Sequence, residues 1–272
     1  MKGYIFINPA VIDQVYLPRL LPYRQNEQKY LANCIKPMFE GRPGTNLLIT
    51  GAPGIGKTAC VRFNLRELLE ETDDIMPIYI NCWKRDTTSK IVREMAKKMG
   101  IKIIDKISSD ELFDMLIEKM SKYRGVAFAF DEIDKVQDYD FLYRIVEDVP
   151  LKTIFLITNI SEWTAKMDSR LMSRLMLERQ NFKPYRFEEV RGILREREKY
   201  AFKPDSWVYE AFEKVIKKCF ELKDIRAGLF LMKRAAEIAE DRAADKIAEK
   251  DVDEALSKIK DLYSKDTISN FI

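Results

Sequence analysis

Along this chain, short and almost wholly apolar runs alternate with longer stretches in which apolar residues recur every three or four positions, and the alternation stops near residue 180. Residues 46–50, 75–81, 125–130 and 152–158 are the short kind and have the length of strands. The third, Gly-Val-Ala-Phe-Ala-Phe, is apolar on both of its alternating faces, as a strand buried on both sides must be. Residues 23–40, 59–71, 87–99, 109–123 and 141–149 carry helical spacing. Gly100 suits a left-handed cap closing the helix over 87–99, and Ser109 or Asp110 caps the start of the next one. Strands joined by helical crossovers predict an α/β fold, a parallel sheet with helices on both faces. Past residue 180 no strand pattern appears, and 187–201, 205–220, 224–241 and 249–263 read as consecutive helices of a small all-α domain. Residues 1–23, broken by Pro9, Pro18 and Pro22, read as an extended arm of the first domain. The expected division is therefore 1–182 for the α/β core with its arm, 183–263 for the helical domain and 264–272 for a tail.

Between the first strand and its helix lies Gly51-Ala52-Pro53-Gly54-Ile55-Gly56-Lys57-Thr58, a complete G-x-x-x-x-G-K-[ST] phosphate loop in the strand-loop-helix context such a loop requires. The three glycines let backbone N–H groups turn inward around phosphate oxygens. The helix beginning at Lys57, Thr58 and Ala59 points its positive end at the same anion, and Lys57 adds a point charge. Thr58 is left to hold Mg²⁺.

The carboxyl end of the third strand carries Asp131-Glu132. In open parallel sheets ligands sit outside the carboxyl ends of strands, so Asp131 is the candidate metal ligand beside the loop and Glu132 the candidate base for an attacking water. Asn159 ends the next strand, where a side-chain amide can hold that water or the terminal phosphate. The chain has no histidine, so any general base must be a carboxylate, a lysine or a water held by one.

With 272 residues, 33% charged and 46% hydrophobic, the chain can fill one large or two modest cores. No run of residues is long and apolar enough to span a membrane and no secretory signal opens the chain, which predicts a cytoplasmic protein without a membrane partner. Cys34, Cys60, Cys82 and Cys219 are scattered and read as small buried residues. A net charge of +3 permits a DNA partner without demanding one.

These pieces in this order resemble the AAA+ ATPases and, within them, the origin-recognition and helicase-loader family of replication initiators in its archaeal form. Several further segments carry the resemblance, which runs from about residue 18 to residue 256. They are Leu21-Pro-Tyr-Arg-Gln-Asn-Glu27, Ile80-Asn-Cys82 with Thr87, Phe130-Asp-Glu-Ile-Asp-Lys135, Leu142-Tyr-Arg144, Phe182-Lys-Pro-Tyr185 with Ile193-Leu194, and Asp224-Ile-Arg226. The resemblance implies an AAA+ core with a helical lid that binds ATP or ADP with Mg²⁺ and hydrolyses ATP slowly. It implies Asn159 as first sensor, Arg226 as second, and Arg24 and Tyr185 beside the adenine. Residues 169–175 correspond to the segment that carries an arginine finger to a neighbour's ATP, with Arg174 the first choice and Arg170 the second. Self-association or AAA+ partner subunits would meet that face. Duplex DNA is a possible partner through residues 83–120 or 183–203.

The sequence departs from the pattern in three ways. Such initiators continue past the lid into a winged helix, and residues 257–272 are too short for one, so the main DNA reader is expected to be absent. The second sensor lacks the usual preceding glycine, and Gly228 weakens its helix by roughly 1 kcal/mol relative to Ala. The arm at 1–17 matches only loosely. An AAA+ ATPase of a mobile-element, defence or signalling system, and a non-catalytic nucleotide-bound adaptor, remain the alternatives.

Overall fold

Strands β1 (Leu47–Thr50), β2 (Ile75–Asn81), β3 (Gly125–Asp131), β4 (Lys152–Ile157) and β5 (Glu178–Asn181) form one parallel sheet in the order β2-β3-β4-β1-β5. The structure is a computed structural model that describes residues 5–103 and 107–266. Parallel neighbours need crossovers. These are α2 (Lys57–Glu71), α3 (Thr88–Lys98) with α4 (Ser109–Met120), α5 (Asp140–Asp148) and α6 (Ser169–Leu175), and α1 (Gln25–Ile35) precedes the sheet. Alternate strand residues divide between two faces. Leu48, Val126, Phe128, Phe130, Ile154 and Leu156 pack with Ile91, Met95, Leu116 and Phe141 of α3, α4 and α5. Leu47, Ile49, Ala127, Ala129, Phe155 and Ile157 are buried on the other side of the pleat, and α2 packs on β2, β3 and β4. The register sets Asn81 opposite Asp131 and Asp131 opposite Ile157, so the polar ends of β2, β3 and β4 come out level.

β5 carries no apolar signal, and its composition explains why the sequence pattern does not reveal it. Glu178, Arg179, Gln180 and Asn181 form an edge strand held through the backbone, with the Glu178 N–H donating to the Asn46 carbonyl at 3.0 Å and the Phe182 N–H to the Thr50 carbonyl at 2.8 Å. Helix boundaries shift for local reasons. The cap of α4 is Ser108, one residue earlier than expected, in a capping box with Glu111. The 23–40 helix becomes α1 followed by a 3₁₀ turn at Lys36–Glu40, where Pro37 supplies no N–H for an α-helical bond.

The chain divides into two compact units, residues 24–183 and residues 1–23 with 184–272. The second contains α7 (Phe187–Ala201), α8 (Tyr209–Leu222), α9 (Ile225–Asp241) and α10 (Glu249–Asp266). α8 begins four residues later than the expected 205, because the backbone of Ser206 and Val208 bonds Ile247 at 2.7 and 3.0 Å instead of starting the helix. The arm, expected on the α/β core, packs within the helical unit. Ile5, Val11 and Ile12 join that unit's apolar cluster, the Ile7 N–H donates to the Ala201 carbonyl at 2.8 Å, and Glu240 accepts the Ile5 N–H at 2.6 Å. Gly228, expected only to weaken α9, has a packing reason: a Cβ there would lie 2.7 Å from the Cys219 sulfur of α8. All four cysteines are free and buried, and burial pushes the thiols of Cys34, Cys60 and Cys219 up to about 12.

Candidate nucleotide site

The loop between β1 and α2 has the backbone its glycines predict. Gly51, Gly54 and Gly56 adopt φ of 139°, 73° and 91°, values that side chains resist. At Gly51 an added Cβ would meet the Phe182 carbonyl oxygen at 2.6 Å. Pro53 and Gly54 form the turn, and Ile55 is buried beneath it. No side chain caps the amino end of α2, where Gly56 is the capping residue. The first-turn N–H groups of Lys57, Thr58 and Ala59 therefore complete an electropositive cradle that fits phosphate.

The loop is cross-linked to two strand ends. Lys57 is 6% exposed, and its ammonium donates to the carbonyls of Gly51 at 2.7 Å and Ala52 at 2.8 Å and to Asn159 Oδ1 at 2.7 Å. Asn159 in turn donates through Nδ2 to the Glu132 carboxylate at 3.3 and 3.2 Å. Thr58 Oγ1 donates to Asp131 Oδ2 at 2.7 Å. That oxygen also receives the Tyr79 hydroxyl at 2.7 Å, while Asp131 Oδ1 receives the Glu132 N–H at 3.0 Å. Lys57, Thr58, Asp131, Glu132 and Asn159 thus come together as the sequence predicts. Tyr79 is not among the residues the sequence motifs single out, although its place two residues before Asn81 on the strand beside β3 puts it on the same face as the strand end.

Glu132 sits in the left-handed region at φ 54°, a conformation that costs a non-glycine residue of order 1 kcal/mol. Burial raises its carboxyl above the ordinary value, the charges of Asp131 and Asp134 push the same way, and Asn159 and Lys57 oppose them. The result is a carboxylate more basic than usual, which suits proton removal from water. Thr158 Oγ1 donates to Asp134 at 2.7 Å and Lys135 pairs with Asp134 at 3.1 Å, which fixes the turn after β3. Among the described residues no group of three or more His, Cys, Asp or Glu could hold a metal ion. The Thr58–Asp131 pair, one hydroxyl and one carboxylate, matches magnesium, which takes one or two protein oxygens and fills its shell with phosphate and water.

Arg24, expected beside the adenine, directs its guanidinium at the loop's own backbone. It donates to the Ile55 carbonyl at 2.8 Å and the Lys183 carbonyl at 2.7 Å, pairs with Glu27 at 2.6 Å and stacks 5.2 Å from the Phe182 ring centroid. Truncating a buried, paired charge leaves its partners unmet, so Arg24→Ala is expected to lower unfolding stability by about 3 kcal/mol in a urea titration. Arg174 pairs with Glu147 of α5, and both side chains are half exposed. Arg170, one turn earlier on α6, is exposed. Tyr185 and Arg226 belong to the helical unit. Tyr185 is buried in that unit's cluster, and Arg226 is exposed with a two-pronged pair to Asp224 at 2.6 to 3.2 Å.

Comparison with known proteins places these features. Residues 42–162 match the AAA domain family and residues 191–257 the Cdc6 AAA+ ATPase-type lid domain. The ORC1-type DNA replication protein 1 of Sulfurisphaera tokodaii is 31% identical over 95% of this chain and 68% of that protein. That of Archaeoglobus fulgidus is 31% identical over 97% of this chain and 68% of its own length. The Aeropyrum pernix ORC1 protein, solved in complex with DNA, is similar with a TM-score of 0.84 at 29% identity, over 94% of this chain and 70% of that one. The Aeropyrum pernix ORC2 protein, solved as ADPNP-ADP complexes, shares the fold with a TM-score of 0.82 at 18% identity, over 94% of this chain and 73% of that one. No helix among the described residues is long and apolar enough to cross a membrane.

Proposed function

Because the chain belongs to the ORC1-type DNA replication proteins, a family of AAA+ ATPases, we propose that it is an ATP-dependent switch of replication initiation that binds ATP with Mg²⁺, hydrolyses it slowly and engages duplex DNA. The observation that carries this reading is the double link from the loop to the sheet, Thr58 to Asp131 and Lys57 through Asn159 to Glu132. The loop amides and Lys57 would bind the phosphates, and Mg²⁺ at Thr58 and Asp131 would neutralise phosphate charge. Glu132 takes a proton from the attacking water as its oxygen bonds the γ-phosphorus, and the bond to the β-phosphate oxygen breaks with the electron pair leaving on ADP. Asn159 orients Glu132 and Lys57 together, so both respond to the same phosphate. Arg174 is the finger we assign to a neighbouring subunit's nucleotide, a role in which it would exchange Glu147 for phosphate charge. Arg226 would likewise exchange Asp224 for phosphate from the lid side. ORC1 of Aeropyrum pernix, whose structure holds DNA, is the relative that supports the DNA partner.

Two stretches compete as the DNA surface. In residues 183–203, Arg186, Arg191 and Arg195 are in ion pairs with Glu189, Glu188, Glu198 and Glu213, and Arg197 is turned onto the Val11 carbonyl and the Tyr16 ring. This helix offers phosphates less charge than its composition suggests. The segment after β2 instead exposes Lys84, Lys97, Lys98 and Lys102 with Trp83, which is 68% exposed. Duplex affinity measured by anisotropy over a salt series, with ATP, ADP or neither, tests the proposal. Binding is expected to depend on nucleotide and to fall with salt, with Lys97→Ala/Lys98→Ala lowering the log-log slope by about 2. A salt-flat response, or one indifferent to nucleotide, would count against a DNA switch.

A further inference from the structure

Asp131 is 3% exposed, and its two carboxylate oxygens accept three hydrogen bonds. One comes from Thr58, itself assigned to the metal, and one from the Glu132 backbone. The third comes from Tyr79, a side chain on a different strand that the phosphoryl chemistry above does not use. Strand alternation puts Ile78 and Ile80 into the α3–α5 side of the core, so Tyr79 faces the side on which α2 packs. There it meets two residues one helical turn apart on α2. The Arg62 guanidinium lies 5.7 Å from its ring centroid, and Thr58 shares with it the same Asp131 oxygen. The ring is only half buried, so its body could be Phe without loss of a core contact, and what distinguishes Tyr is the hydroxyl on a carboxylate.

We propose that Tyr79 is a positioning residue for the magnesium-binding carboxylate: its hydroxyl fixes the plane of Asp131 from β2, so that the carboxylate is held when Thr58 turns to the metal. The proposal rests on the reading of Thr58 and Asp131 as the Mg²⁺ pair. Outer partners of this kind orient a ligand and typically contribute 10–100-fold to metal affinity. Tyr79 is the side-chain donor that does this without being a ligand itself, and it couples the end of β2 to the loop.

The test uses the full chain and a fluorescent ADP analogue, titrated in excess EDTA and across a Mg²⁺ series, with thermal unfolding in EDTA as the check on folding. Tyr79→Phe is expected to leave affinity in EDTA unchanged, to lower the melting temperature only slightly through the lost bond to Asp131, and to raise the Mg²⁺ concentration at half-effect by about tenfold. Thr58→Ala, run alongside, is expected to abolish the Mg²⁺ effect. If Thr58→Ala does so while Tyr79→Phe titrates like the unaltered chain, the positioning role falls and the metal pair stands. If Tyr79→Phe weakens binding equally in EDTA, or lowers the melting temperature enough to explain the loss, the hydroxyl is structural and the proposal is overturned. If Thr58→Ala keeps the normal Mg²⁺ dependence, the metal pair itself is misassigned, and Tyr79 has no carboxylate to position.

Discussion

Lys57→Ala is expected to remove the thermal stabilisation that ATP or ADP gives this chain. In the native site the ammonium is nearly sealed from solvent and bonds two loop carbonyls and Asn159. A charge-assisted bond to phosphate contributes roughly 1.5–3 kcal/mol, and an ammonium in this cradle would make more than one, so affinity should drop by at least about a hundredfold. At a ligand concentration of 100 Kd the unaltered chain would gain about 2.7 kcal/mol from binding, whereas a hundredfold weaker variant at the same concentration gains only about 0.4 kcal/mol. Calorimetric scans with and without nucleotide resolve that difference. The variant also leaves the Gly51 and Ala52 carbonyls and the Asn159 amide without this donor, so its nucleotide-free melting temperature should fall as well. A nucleotide-induced shift equal to that of the unaltered chain would remove the loop from the binding site.

The parts of this site that a reader of the sequence can find are those whose backbone or chemistry restricts the residue type. Gly51, Gly54 and Gly56 are legible because each has positive φ, and Asp131 and Glu132 because carboxylates follow a run that is otherwise wholly apolar. The three inner strands, β1, β3 and β4, are legible because burial on both faces leaves a continuous apolar signature. β5 is not, because an edge strand of Glu, Arg, Gln and Asn is held through backbone groups that every residue possesses. Tyr79, and the bonds of Arg24 to the loop backbone, escape for a different reason. Each acts across a distance in sequence, Tyr79 on Asp131 and Arg24 on Ile55 and Lys183, and each sits where its local pattern asks only for a half-buried aromatic or a helix-start residue. The arm shows the limit of reading by proximity. It precedes the α/β unit in the chain, yet Ile5, Val11 and Ile12 find their apolar partners on α7 and α9, which lie near the other end of the sequence.

Glu132→Gln is expected to stop hydrolysis while leaving ATP bound. The amide keeps the size of the carboxylate and can still accept the Asn159 hydrogen bond, so the chain from Lys57 through Asn159 to residue 132 survives, while proton removal from water is lost. General-base catalysis typically contributes 10²- to 10⁴-fold, and phosphate release under single-turnover conditions should fall by about that factor. Nucleotide affinity, read from the same fluorescent analogue, should change by less than about threefold. A variant that hydrolyses ATP at the unaltered rate would assign the base elsewhere, and with no histidine in the chain only another carboxylate, a lysine or a water held by one could serve. The same substitution has a signature in stability that needs no nucleotide. Because the native carboxyl is raised by burial and by the charges of Asp131 and Asp134, the folded chain retains this proton over a pH window in which the unfolded chain has already lost it. The group's contribution to stability is therefore full below the ordinary glutamate value and is lost as pH rises through the raised one. Glutamine has no such proton to lose. In EDTA, the stability of Glu132→Gln relative to the unaltered chain should increase with pH across that window. A difference that stays flat would mean that Asn159 and Lys57 cancel the burial at Glu132, and the unusual basicity assigned to it would go with it.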